Sequence, residues 1–359
     1  MLPQLKQIET FRVQRIQNEL LLAIEENNFF SIAYFKDQER IRKKSYFGEN
    51  GYRKTVVVVN PSNYANVTSE INGEEIITLP EQALSSNVGN PKALRESLEG
   101  TIVIMTNNNV AKIGSTKLAQ IIEATPNTLY LIHDFDNHHW YEHSMQCALL
   151  ADIYAPAHLS DNAFAARINP NVVVGIPCGT IQWKKSFLLE HIQELVTNQR
   201  KREPLGIHSF YGKFRFRNSV IATVNKHYES VALLKQDFHG RTAHDRWEEW
   251  IAYPVHWIAP VFNDLPLRFF DSLITGGIPL VPNSLIPYLT FLEIPERFYI
   301  PYTPADLLEV PKFVRGSIEQ FERQGEEGRL DRHIFAKEHF HVDTIILKLL
   351  TAAKNAYLS

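Results

Sequence analysis

The chain has 359 residues, enough for two domains of ordinary size. Its formal net charge of −3 carries no global field that would argue for nucleic acid. Cys147 and Cys178 form no disulfide framework and show no CxxC metal spacing, which fits a reducing compartment; no apolar run approaches a membrane span and the opening MLPQLKQIETFRVQRIQ has no signal-peptide core, so a cytoplasmic location is expected.

Gln7 to about Glu26 is amphipathic at helical spacing, with Ile8, Phe11, Ile16, Leu20 and Ile24 as inner positions. Phe29–Phe35 reads as a short strand. Lys54–Val59 is a β-branched strand closed by the turn signal Asn60-Pro61, and Ile76–Leu79 and Thr101–Met105 are further strands. A polar loop, Thr106–Asn109, follows the last of these. Lys112 to Ala124 reads as one helix and Thr128–His133 as another buried strand. Strands alternating with helices predict a parallel sheet with covering helices.

Just past that strand comes HDFDNHHW, residues His133 to Trp140. Open α/β sheets carry function at the carboxyl ends of their strands. Three readings stay open. Asp134, Asp136, His138 and His139 could line a cleft, recognise sugar hydroxyls and supply an acid or base, with Trp140 as an apolar platform. The same residue types are ordinary metal ligands, although the pattern matches no zinc or calcium signature. They could also cap the helix that begins near Trp140.

Tyr141–Leu150 reads as a helix, Asp152–Tyr154 as a strand, His158–Asp161 as a loop with a capping signal, and Val172–Gly175 as the last strand before a boundary near Thr180. A helix, Ser186–Gln199, and a charged connector, Lys201–Pro204, lead into a second domain that opens with the strand Leu205–Phe210. Lys213, Arg215 and Arg217 then sit in a glycine-containing loop before a helix from about Ser219. Strand, basic loop, helix is a layout that receives phosphate, through backbone N–H groups and the forked hydrogen bonds of arginine. The alternative is an alternating edge strand, KFRFR, with its charges in water.

Val231–Leu234 reads as a strand, Asp237–Thr242 as a polar loop, Arg246–Ala252 as a helix and His256–Ala259 as the next strand. The stretch FNDLPLRFFDSLITGGIPLVP, Phe262–Pro282, is a loop, a helix from Pro266 to about Ile274, a Gly-Gly stop and a buried strand. Asn263, Asp264, Arg268 and Asp271 fall near the helix start and on its polar face. Tyr299–Tyr302 is a short strand, Thr303-Pro304 starts a helix, Gln324–Arg332 is charged and turn-like, and His341–Tyr357 is an amphipathic closing helix.

Phe262–Pro282 resembles the donor-binding segment of GT-B glycosyltransferases, with RFFDSLITGGIPL closest to exostosin-like and bacterial polysaccharide transferases. Asp271 matches the second acid of that pattern; Asn263 stands at the spacing of the first, and Asp264 is one residue late. The resemblance implies two Rossmann-like α/β domains facing a cleft: residues 1–180 on the acceptor side, 181–340 holding the donor, and a terminal helix, 341–359, long enough to cross back to the first domain. It implies a nucleotide-sugar as donor substrate, with Lys213, Arg215, Arg217, Asn263, Asp264, Arg268 and Asp271 around it, and no further cofactor or metal. It also implies a glycan or lipid-linked acceptor, with peripheral membrane association in the second case, as in surface polysaccharide synthesis. Hexosyl and 3-deoxy-octulosonate transfer stay unresolved. A metal-dependent hydrolase centred on His133–His139 and a non-catalytic nucleotide- or carbohydrate-binding protein are the rival readings.

Overall fold

The computed structural model describes residues 29–60, 63–158, 163–208, 210–231 and 241–358. The helix expected at Gln7–Glu26 and most of the polar loop after Leu234 lie outside them. The protein is a mixed α/β chain with two sheets, and it divides into two compact units. One takes the described residues up to Pro177 together with those from Ile345; the other is Cys178–Thr344.

The first unit opens with α1 (Phe29–Asn50), so the apolar run expected as a strand at Phe29–Phe35 is the start of a helix. Its Lys43 is buried and ion-paired to Asp152 at 2.6 Å, and it also donates to the Thr128 carbonyl at 2.7 Å. The sheet is built from β1 (Thr55–Asn60), β2 (Glu70–Ile71), β3 (Glu74–Pro80), β4 (Ile102–Thr106), β5 (Leu129–Asp134) and β6 (Ile153–Pro156), in the order β2-β3-β1-β4-β5-β6. Only the short β2–β3 pair is antiparallel. The chain lays β3 on one side of β1, then places β4, β5 and β6 on the other. That reversal lies between β1 and β4, the kind of switch point at which open α/β sheets place their ligands.

Every residue of β4, β5 and β6 is buried, as strands covered on both faces require. The cover comes from α2 (Glu81–Ser85), α3 (Pro91–Leu98), α4 (Asn107–Ile113), α5 (Ser115–Ala124), α6 (Tyr141–Leu150) and α7 (Ala163–Ile168). The single helix expected over Lys112–Ala124 is two helices broken at Gly114. The polar loop expected at Thr106–Asn109 is a helix start: Thr106 and Asn109 form a reciprocal capping box. Val172 makes one isolated bridge to Tyr154 rather than a strand. The end of the chain belongs here too. The Tyr357 hydroxyl donates to the Asp152 carbonyl at 3.2 Å, and Lys354 pairs with Glu74 at 2.6 Å.

The second unit holds α8 (Lys185–Glu190), α9 (Ile192–Thr197), β7 (Pro204–Leu205), α10 (Arg215–Asn225), α11 (Ala243–Ile251), β8 (Val255–Trp257), α12 (Leu267–Ile274), β9 (Ile278–Pro282), α13 (Ile286–Phe291), β10 (Ile300–Tyr302) and α14 (Val310–His339). Its α15 (Val342–Tyr357) starts here and ends in the first unit. The four strands run parallel in the order β10-β9-β8-β7. The strand expected at Leu205–Phe210 shrinks to β7 and the helix expected at Ser186–Gln199 is two helices; the basic loop does lead into a helix, but α10 starts at Arg215 rather than Ser219, and the alternative of an edge strand at KFRFR fails. Val231 closes a one-turn 3-10 helix, Glu229–Val231, where a strand was expected to begin. The start expected at Thr303 is capped by Asp306 but yields only one 3-10 turn, Asp306–Leu308. The charged run Gln324–Arg332 lies inside α14, which is kinked at Gly325.

The expected helix–Gly-Gly–strand is present. Gly276 has φ +68°, and the N–H groups of Gly276 and Gly277 reach back to Leu273 and Ser272, both at 2.9 Å, closing a Schellman motif. Gly277 is needed for space. A Cβ there would lie 2.3 Å from Cε1 of His256, a buried ring hydrogen-bonded to Ser272 at 2.6 Å.

Candidate functional site

In the first unit the His-Asp segment follows β5 as expected, but its members differ in kind. His133 is buried: Nε2 donates to the Ile176 carbonyl at 2.9 Å, which leaves Nδ1 to accept from the Tyr64 hydroxyl at 2.8 Å. With both nitrogens engaged it offers no lone pair to a metal. Burial pushes its pKa down to about 3. Asp134 is also buried, and Oδ2 accepts from the Tyr154 hydroxyl at 2.7 Å while Oδ1 accepts the Asp136 N–H at 2.9 Å. Burial raises its pKa above the ordinary aspartate value.

Asn107, at the carboxyl end of β4, wires the loop together. Its amide donates to Asp136 Oδ2 at 2.7 Å, its side-chain oxygen accepts the Phe135 N–H at 3.0 Å, and its carbonyl accepts from His143 Nε2 at 2.8 Å. Asp136 and His139 keep exposed surface and approach each other at 3.8 Å. His138 and His139 share a hydrogen bond of 2.6 Å, and the His138 ring stands edge-on to His158. Burial, then the neighbouring His158 and His139, lowers the His138 pKa to about 2; burial lowers that of His158 to about 4. No side chain caps α6, so the capping reading does not hold: these residues organise the loop, not the helix start.

The second unit gathers a different set at the carboxyl ends of β7 and β8. Arg217, in the first turn of α10, is 4% exposed. Its Nε donates to the Ala259 carbonyl at 3.0 Å, and the guanidinium lies 4.9 Å from the Tyr211 ring centre. His208 stands behind it. Nε2 donates to the Trp257 carbonyl at 2.7 Å, which turns the Nδ1 lone pair toward Arg217 Nη2 at 3.4 Å. Burial holds the His208 pKa well below the ordinary value, with Arg268 and Arg217 adding to it.

Arg268, half-buried at the start of α12, makes no hydrogen bond or ion pair among the described residues. Burial lowers its pKa, against Tyr211, Asp264 and Asp271. Arg217 is likewise lowered by burial and then by Arg268 itself. Burial lowers both guanidinium groups, and Asp264 is an acidic neighbour of each. Neither α10 nor α12 has a side-chain hydrogen bond capping its N-terminus.

Asp264 is buried in the turn Val261–Asp264, where it accepts the Val261 N–H. Asp271 is 3% exposed and accepts from the Thr180 hydroxyl at 3.0 Å; burial lifts its pKa to about 7, against Thr180, Arg268 and Arg246. Arg217, Asp264, Arg268 and Asp271 thus come together. Lys213 and Asn263 are exposed on their turns and Arg215 at the first position of α10, and among the described residues no hydrogen bond or ion pair ties them to this group.

Sequence reasoning missed His208, Tyr211, Thr180, Asn107 and Tyr64. His208 lies shortly after β7, but the strand expected over Leu205–Phe210 enclosed it and hid that placement. Thr180 and Tyr64 carry none, because each is joined to its partner only by the fold.

No family model and no curated protein matches the chain. Among solved structures, a sucrose-phosphate synthase from Thermosynechococcus elongatus is similar over 85% of this chain and 100% of its own, with a TM-score of 0.48 and 12% identity. Among the described residues no helix is long and apolar enough to cross a membrane.

Proposed function

We propose that the protein is a glycosyltransferase that takes a sugar from a nucleotide-activated donor. The observation that carries this is the meeting of Arg217 and Arg268 beside two uncapped helix starts, at the carboxyl edge of a parallel sheet. A diphosphate placed there would receive charge-assisted hydrogen bonds from the guanidinium groups. In sugar transfer that diphosphate is the leaving group, and fixed positive charge aimed at it is the chief means by which such a site lowers the barrier. Asp271, on the same helix as Arg268, fits an acceptor of ribose hydroxyl hydrogen bonds.

The acceptor's acid or base is assigned to Asp136 and His139, which keep solvent-accessible surface, and not to the enclosed Asp134. The resemblance of Phe262–Pro282 to polysaccharide transferases makes a glycan the proposed acceptor. Thermal unfolding with and without nucleoside diphosphates tests the donor side. A ligand that binds only the native state raises the melting temperature by mass action. CDP, UDP or GDP should do so for the wild type, and Arg268→Ala should abolish most of the rise. A melting point unmoved by every nucleotide would overturn the proposal.

A further inference from the structure

Phe262 has an environment that packing alone does not explain. Its φ is +55°, one of three positive values at non-glycine residues among those described. Such a backbone is strained for a residue with a Cβ. The turn is held there by its ends: Asp264 Oδ1 accepts the Val261 N–H, and the Asp264 N–H returns to the Val261 carbonyl at 3.2 Å. The result is an aromatic ring left 65% exposed on a strained backbone. Strain of this kind, kept by its surroundings, points to a working position.

The ring is also connected. It meets Phe214 edge-to-face at 5.1 Å between centres, Phe214 meets Tyr211 at 6.1 Å, and Tyr211 lies 4.9 Å from the Arg217 guanidinium. An aromatic row therefore runs from the arginine site out to an open ring. A ligand that fits both ends carries an anionic group and a flat π surface on one short frame. That is a nucleotide.

We infer that Phe262 is the stacking platform for the nucleobase of the bound nucleotide, an inference that rests on the arginine site proposed above. Stacking alone reads the π face and not the hydrogen-bonding edge, so purine nucleotides should bind at least as well as pyrimidine ones at this position.

The test is calorimetric titration of the full chain with inorganic pyrophosphate and with ADP, GDP, CDP and UDP, for the wild type, Phe262→Ala, Phe262→Trp and Arg268→Ala. Alanine meets the same backbone strain as phenylalanine, so the turn should survive the change, and circular dichroism checks it. Removing a base–aromatic stack typically weakens binding by about 5- to 150-fold. Phe262→Ala should weaken the nucleoside diphosphates by an amount in that range and leave pyrophosphate unchanged, Phe262→Trp should keep the nucleotide affinity, and Arg268→Ala should weaken both ligand kinds. Wild-type nucleotide affinity in Phe262→Ala, or nucleotides bound no tighter than pyrophosphate, would overturn the stacking role while leaving the arginine site standing. Failure of pyrophosphate and all nucleotides to bind the wild type would overturn both.

Discussion

Replacing Asp271 by asparagine should stabilise the protein, and should do so only above acid pH. The carboxyl is enclosed in α12, and burial raises its pKa from 3.8 to about 7. In the unfolded chain it ionises near its ordinary value. Because the folded-state pKa is the higher one, its contribution to stability is fully present below about pH 4 and is lost as pH rises toward 7. A tenfold change in acidity between the folded and unfolded chain is worth about 1.36 kcal/mol, so the ionised form costs the native state at most about 4 kcal/mol at pH 8. Asparagine keeps the shape and an oxygen that accepts from Thr180, but it cannot ionise. Urea unfolding of both proteins at closely spaced pH values between acid and mildly alkaline solution should give nearly equal free energies at about pH 4. The variant's advantage should then grow by up to about 1.4 kcal/mol per pH unit and level off above about pH 7. A difference that stays constant with pH would refute the reasoning, because it would mean that the Asp271 proton is not linked to folding.

Three further outcomes are expected. Gly277→Ala should destabilise the protein by about 1–3 kcal/mol in chemical unfolding, since its Cβ would press on the His256 ring, and a neutral result would mean that the ring has room to move. His133, His158, His208, His256 and His333 are all buried with lowered pKa values, so the unfolded chain takes up protons that the native state refuses. Each contributes stability above about pH 6.5 that is lost at up to about 1.4 kcal/mol per pH unit as acid is added; a stability flat between about pH 7.5 and 4.5 would contradict this. Asp136→Ala and His139→Ala should lower transfer by a factor of about a hundred to ten thousand with nucleotide affinity intact, while Asp134→Ala should mainly lower the melting temperature because it strands the Tyr154 hydroxyl. Normal transfer in both of the first two variants would remove the acid–base role from this loop.

The strands were legible wherever an apolar run was bounded by turns, as at Thr101–Met105 and Thr128–His133, because burial on both faces leaves no room for other residues. The helix-to-strand passage at Ile274–Ile278 was equally legible, since its glycines answer a local backbone demand. Phe29–Phe35 failed for the opposite reason: a short apolar run has no period long enough to tell a strand from the start of a helix. Gln324–Arg332 looked like a turn by its charges and glycines, yet α14 absorbs Gly325 as a kink and continues. At the candidate site, Arg217, Arg268, Asp264 and Asp271 are legible as candidates because each stands beside a helix start or on a helix that follows a strand. Their partners Tyr211, His208 and Thr180 were not, because hydrogen bonds across many residues leave no mark on spacing. Exposure was the other hidden quantity, and it separates Lys213, Arg215 and Asn263 from the cluster and Asp134 from Asp136.

The central claim is donor chemistry at the Arg217–Arg268 site. The most direct measurement is release of nucleoside diphosphate from a panel of nucleotide-sugars by the purified chain with a mixture of glycan acceptors, run beside Arg268→Ala. The expected result is acceptor-dependent release from at least one donor, reduced by about two orders of magnitude or more in the variant, in line with the loss of one charge-stabilising group. Equal release by the wild type and Arg268→Ala, or no release and no binding of any nucleotide, would contradict it.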